Sequence, residues 1–214
     1  MNYTKLVREY CKNNGGAIFD VSKLKNIEFA EVPYKTLLKI LNRLEEEGLL
    51  KPVSKGVYFI GEKSVDEELI FDEYVDDGKG MLVGYQLFND VGISDYVDCK
   101  IEIYTNNIKA KQKSVGRYLL KRVDLEFDDD IVDLVALLEI IDVGYSMKGC
   151  DFMAYKKTVD MLLKSYSDSS FEKTVKAIHY KYSTIKQLSE LLESNSIDSN
   201  CVDIFENTYK NSIR

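Results

Sequence analysis

Lys35, Lys39, Asn42 and Arg43 recur at intervals of three and four residues, which gathers an amide and three cations on one side of a 3.6-residue helix. Those groups suit a nucleic acid. Asn and Arg have the donor and acceptor geometry to read adenine and guanine edges in a major groove, while Lys35 and Lys39 suit phosphate oxygens. Thr36 lies beside them, and Lys55 stands at the tip of a ribbon downstream. Charge at this spacing is also what a solvated helix face carries, so the surrounding elements must decide between the two readings.

The segment that holds these residues, PYKTLLKILNRLEEE at 33–47, has its apolar positions Leu37, Ile40, Leu41 and Leu44 on the opposite side. Pro33 suits a first helical turn and Gly48 a helix end. LLKPV and KGVYFI then alternate in the manner of strands around Ser54, Lys55 and Gly56, which predicts a two-stranded ribbon with a basic tip. Upstream, Tyr3, Leu6, Val7, Tyr10 and Cys11 form a helical stripe behind Asn2, the AIFD stretch can pair with the ribbon, and VSKL follows Asp20 as a short second helix. Three helices and a ribbon within 1–61 spell a winged helix-turn-helix. Glu45, Glu46 and Glu47 would repel phosphate and belong at the end of the helix away from DNA.

The charge distribution agrees. The 214 residues carry a net charge of −7, yet residues 1–61 hold ten Lys/Arg against seven Asp/Glu, leaving 19 against 29 for the remainder. An acidic remainder confines DNA contact to the first domain and makes it sensitive to salt. The composition, 45% apolar and 30% charged, is that of a soluble globular protein, and a cytoplasmic one is expected. No apolar run approaches the roughly 20 residues that span a bilayer, and no signal sequence is evident, so no membrane association is expected. Cys11, Cys99, Cys150 and Cys201 lie far apart, and one histidine leaves no Cys/His zinc set, so neither a metal nor another cofactor is expected.

Beyond residue 61 the pattern predicts an α/β domain to 142 and a helical extension over 143–214, giving an α+β protein overall. Ser64 and Glu67 form a capping box before VDEELIFDEYV; GYQLFNDVG reads as two helical turns; CKIEIYT and YLLKRVDLEF read as partner strands. DDDIVDLVALLEIID opens with acids suited to a helix N-terminus and is apolar enough to be largely buried. Further helices are expected at 152–165, at 170–182 behind Ser169, and at 184–194 with Thr184 and Gln187 as a box. Cys201, Ile204, Phe205 and Tyr209 make a last amphipathic stripe.

Between 106 and 122 stand Lys109, Lys111, Lys113, Arg117, Lys121 and Arg122 without one intervening acid, a run expected to be clustered and poorly neutralised. It is either a solvated hairpin loop whose lysines deter edge pairing or a second contact surface, for DNA, for an RNA, or for a toxin or its nucleotide substrate. For catalysis, Asp98, Cys99 and Lys100 match the acid-x-lysine element of metal-dependent nucleases, with Asp90 or Asp77 as further carboxylates, but the match is short and no enzyme is expected. Asp128, Asp129 and Asp130 suit helix capping, and His179 has the helical spacing of a packed side chain with Val175 and Tyr182.

Residues 84–107, GYQLFNDVGISDYVDCKIEIYTNN, resemble AbiEi-type antitoxins, the transcriptional-regulator half of type IV abortive-infection toxin-antitoxin systems. Leu87, Gly92 and Ile93, then Ile101, Ile103, Thr105 and Asn106, follow the family's order. Arg43, Leu44, Gly48, Leu49, Gly56 and Tyr58 match its recognition-helix end and wing. The likeness covers roughly 1–142 and departs from the family where Val97 follows Tyr96 in place of a proline. It implies a repressor of its own promoter that counteracts a nucleotidyltransferase-like toxin; with those two roles, the basic run is expected to serve toxin neutralisation while the winged helix serves transcription. Repressors of this kind occupy inverted repeats, so a homodimer or cooperative monomers on double-stranded DNA are expected. The competing class is a winged-helix adaptor that binds protein.

Overall fold

The structure, a computed structural model, describes residues 2–62, 66–200, 202, 203 and 205. The chain is mixed α+β, with two sheets and a helical C-terminal region. Among the described residues no helix is long and apolar enough to cross a membrane.

Helix α1 (Tyr3–Asn13) starts on Asn2, whose side chain accepts the Lys5 amide hydrogen bond. Strand β1 (Ile18–Asp20) runs directly into the one-turn helix α2 (Val21–Leu24), capped by the Asp20 carboxylate. Helix α3 (Tyr34–Glu46) begins after Pro33 and buries Leu37, Ile40, Leu41 and Leu44. Gly48 turns the chain out of the helix at φ +76°, a left-handed conformation that costs other residues a steric penalty. Strands β2 (Leu50–Ser54) and β3 (Val57–Ile60) then form the ribbon, and β1 joins it on the far side of β3 in an antiparallel sheet of order β1-β3-β2. The three helices close one face of this sheet around Val7, Phe19, Phe29, Leu41, Leu44 and Ile60.

All four residues of β3 are buried, so the alternation expected of a half-exposed strand is missing. Tyr58 and Ile60 belong to the helical core, whereas Val57 faces the rest of the molecule, where it packs with Ile18 and Val53 against Ile70, Tyr74 and residues of a second sheet. A strand covered on both faces reads as a continuous apolar run.

That second sheet has the order β4-β5-β7-β6, built from Gly80–Val83, Ile101–Thr105, Tyr118–Arg122 and Gln112–Val115. Strands β5 and β7 are parallel and the two outer pairings antiparallel. Helix α4 (Glu67–Val75) precedes it, with Asp66 as its cap; Ser64 of the expected capping box lies outside the described residues. Helix α5 (Tyr85–Asp90) follows β4. Strand β6 lies within the stretch expected to be a plain connection, and no alternation marks β4. Residues 123–127, expected to extend the strand, lie outside the sheet, yet Val123, Leu125 and Phe127 are buried in alternation as the pattern requires.

Helix α6 (Asp129–Val143), capped by Asp128, buries eight residues on nearly every side because the sheet lies against it on one flank and α7 (Phe152–Leu162), α8 (Asp168–Ala177) and α9 (Tyr182–Ser194) on the others. One apolar cluster runs from Met81 through α6 to Leu192 and Val202, crossing residue 142 without a break. Two expected caps differ. Ser167, not Ser169, accepts the Ser170 amide bond at 3.2 Å, which leaves Asp168 in the first turn where a carboxylate complements the helix dipole. The Thr184–Gln187 box does not cap α9, because the Thr184 hydroxyl donates instead to Asp142. Cys201, Ile204 and Tyr209 of the last stripe lie outside the described residues, while Phe205 meets Phe171 edge-on at 5.8 Å.

Candidate nucleic-acid interface

The side of α3 away from its buried leucines presents Lys35, Lys39, Asn42 and Arg43, all exposed, with Thr36 half-buried at the flank. Among the described residues none of the three cations lies within 4.0 Å of a carboxylate, so their charge faces solvent. The acids of the helix collect at its other end. Glu47 is engaged by Arg8 of α1 at 2.6 Å, and the guanidinium hydrogen bond holds this carboxyl below its ordinary range. Lys55, in the β2–β3 turn, is exposed and equally without a carboxylate partner.

The basic run does not form one surface. Four of its six cations are ion-paired: Lys113 with Asp20 at 2.6 Å, Arg117 with Glu67 at 3.2 Å, Lys121 with Glu102 at 2.8 Å and Arg122 with Asp124 at 2.7 Å. The expectation of a poorly neutralised run is therefore corrected. Acids absent from the segment itself arrive from β1, α4, β5 and the stretch after β7, where a linear reading of charge cannot see them. Lys109 and Lys111 keep exposed side chains without a carboxylate partner among the described residues.

Lys109 and Lys113 instead turn toward the first sheet. With Lys25, Lys55, Tyr34 and Leu38 they line an open groove of about 700 Å³ between α2, the N-terminal half of α3, the β2–β3 turn and the β5–β6 connection. Lys25, Tyr34 and Leu38 were not anticipated. Lys25 sits in the turn after α2, and Tyr34 and Leu38 belong to the flank of α3 between its buried and charged faces, so no periodicity marks them.

The polar junction beneath this groove is buried. Asp20, 2% exposed, accepts from Lys113 Nζ, from the Ser22 hydroxyl at 2.6 Å and from Tyr74 Oη at 3.3 Å. Burial opposes ionisation of Asp20, but the Lys113 and Ser22 hydrogen bonds outweigh it and hold the carboxyl below its usual range. Lys23 pairs with Glu73 at 2.6 Å and lies 4.6 Å over the Tyr74 ring.

Thr105 and Asn106, which carry part of the family likeness, have structural partners. Thr105 Oγ1 donates to the Tyr74 or Lys79 carbonyl oxygens, at 2.8 and 3.0 Å, and Asn106 Nδ2 donates to Leu125 O at 2.8 Å. They close carbonyls left open at the end of α4 and after β7. Of the nuclease-like residues, Asp98 is exposed before β5, Asp90 accepts from Gln86 at 2.8 Å, and Asp77 pairs with Lys79 at 3.2 Å; among the described residues no group of three or more His, Cys, Asp or Glu is placed to hold a metal ion. His179 is exposed between α8 and α9.

No protein-family model matches this sequence. No curated protein matches it either. Among solved structures the chain is similar to the RV2827C protein from Mycobacterium tuberculosis, at 15% identity and a TM-score of 0.41, over 92% of this chain and 78% of that one.

Proposed function

We propose that residues 2–61 are a winged helix-turn-helix that binds double-stranded DNA sequence-specifically, and that the protein represses its own promoter. The observation that carries this reading is the exposed α3 face of Lys35, Lys39, Asn42 and Arg43, free of ion pairs among the described residues, beside a β2–β3 turn that presents Lys55. In this docking mode α3 lies along the major groove, Asn42 and Arg43 in its C-terminal half address base edges, and Lys35, Thr36, Lys39 and Lys55 address phosphates. The engagement of Glu47 by Arg8 keeps at least one of the distal carboxylates turned back to the protein. A single module of this kind buries little surface on DNA, which favours paired half-sites occupied by a dimer or by cooperative monomers.

The likeness to AbiEi-type antitoxins adds a second role, counteracting a nucleotidyltransferase-like toxin. Lys111, exposed and unpaired among the described residues, is the member of the basic run best placed for such a partner outside the lysine-lined groove. Footprinting on the DNA upstream of the coding region tests the regulatory reading: protection of two inverted half-sites supports it, and protection of no defined site counts against it.

A different surface favours the adaptor reading. Phe152, Met153 and Met161 on α7 are 61%, 79% and 55% exposed, close to Lys156, Lys157 and Lys164 with Asp160 as the one acid lining the same groove, a combination suited to an acidic, partly apolar protein partner. A sequence preference on DNA separates the two readings, because an adaptor has none.

A further inference from the structure

The groove beside α3 gathers lysines from four separate places in the chain. Lys25 follows α2, Lys55 caps the β2–β3 turn, Lys109 belongs to the β5–β6 connection and Lys113 to β6; no Asp or Glu shares the lining, in a chain whose net charge is −7. Asp20 answers the charge of Lys113. Lys25 donates to the Ala30 carbonyl at 3.0 Å, a neutral partner that leaves its charge intact, and Lys55 and Lys109 have no carboxylate within 4.0 Å among the described residues. Three uncompensated ammonium groups held around one concavity repel each other until an anion enters.

Shape separates the candidate anions. A small nucleotide is held by a pocket that encloses most of its surface, whereas this groove is open to solvent and runs along the flank of α3. Tyr34 and Leu38, on its wall, directly precede Lys35 and Lys39, and Leu38 stands about one turn and Tyr34 about two turns before the base-reading position Asn42. An extended strand of phosphates lying there would pass directly beside the bases that α3 addresses.

We propose that the groove seats one phosphodiester strand of the duplex read by α3, so that Lys109 brings the second sheet into the DNA complex. The inference rests on the DNA-binding reading above and adds to it a contact from outside the first 61 residues. It also reassigns Lys109 from toxin recognition to the operator.

The experiment compares the full-length protein with Lys109→Ala and with Lys173→Ala, which removes an equal charge from the exposed face of α8. Fluorescence anisotropy across a salt series is recorded on the upstream duplex and on a random duplex. Lys109→Ala should weaken both duplexes by the same factor and reduce the slope of log K against log salt by about one, while Lys173→Ala leaves both unchanged. Unaltered binding by Lys109→Ala, or equal losses in both variants, overturns the groove assignment while the DNA-binding reading stands. A wild-type protein that binds neither duplex removes that reading and this inference together. AMP is the third arm: if it binds the wild type, fails to bind Lys109→Ala and leaves DNA affinity untouched at saturation, the groove is a nucleotide site and the strand assignment is wrong.

Discussion

Lys113 Nζ lies 2.6 Å from Asp20 Oδ2, joining residues 93 positions apart across the boundary between the two sheets. Asp20 ends β1 and caps α2, so one carboxylate both starts a helix of the first 61 residues and fixes strand β6 against it. Around it, Tyr74 adds a hydroxyl from α4, and Val57, Ile18 and Val53 supply the apolar part of the same contact. The pair therefore sets where Lys109 stands relative to α3.

Replacing Lys113 with Met should destabilise the protein by about 3 kcal/mol, at the low end for breaking a buried ion pair because the lysine keeps some contact with water. Adding Asp20→Asn should recover part of the loss, since the buried charge is then gone. Urea unfolding of the two single variants and the double variant measures this coupling; additive losses would contradict it.

The same carboxylate predicts an acid dependence. Its folded pKa is lowered, so between the folded and unfolded values the unfolded chain binds more protons, and stability rises with pH. The contribution is fully present above the ordinary carboxylate range and disappears as pH falls through the folded value. Glu139 works in the opposite sense. Burial raises its pKa despite hydrogen bonds from Tyr104 and Tyr180, so its contribution is present at low pH and is lost as pH rises through the folded value. Urea midpoints from about pH 7 down to about pH 3 should fall less steeply for Asp20→Asn and more steeply for Glu139→Gln than for the wild type.

Gly80 starts β4, where an added Cβ would stand 2.4 Å from the Tyr104 carbonyl oxygen and 2.5 Å from that of Tyr74. Both obstacles are backbone, so Gly80→Ala should cost at least about 1 to 3 kcal/mol by forcing β4 away from β5. A thermal midpoint equal to that of the wild type would show that the strands yield freely.

The local elements of the first 61 residues were legible because their signals are short-range: Asn2 and Asp20 as caps, the leucine spacing of α3, Gly48, and the two runs around Lys55. Strand β4 escaped because GMLV is four residues without alternation, and β6 because its QKSV is polar and mostly exposed. The basic run misled for a different reason. Its neutralising acids lie from 2 to 93 residues away in sequence, and only the parallel β5–β7 pairing and the docking of the sheets bring Glu102 and Asp20 to it. The groove was invisible on the same ground, being assembled from one lysine in each of four places.

Arg43 and Lys39 should fail in different ways. Arg43→Ala should relax base preference at one position, at a loss of about 1 to 3 kcal/mol if the guanidinium makes a bidentate guanine contact, whereas Lys39→Ala should weaken all sequences alike. Binding to a panel of operators carrying single base changes distinguishes them. Identical profiles for the two variants would contradict the division between base and phosphate contacts.

Sequence-specific DNA binding through the exposed face of α3 is the proposal on which the division of contacts rests. Titration of the wild-type protein against the duplex upstream of its coding region, with random duplex as competitor and at a fixed low salt concentration, tests it most directly. The expected result is a preference of about a thousandfold or more for the upstream duplex, reduced in Arg43→Ala. Equal affinity for the two duplexes, or no binding to either, contradicts it.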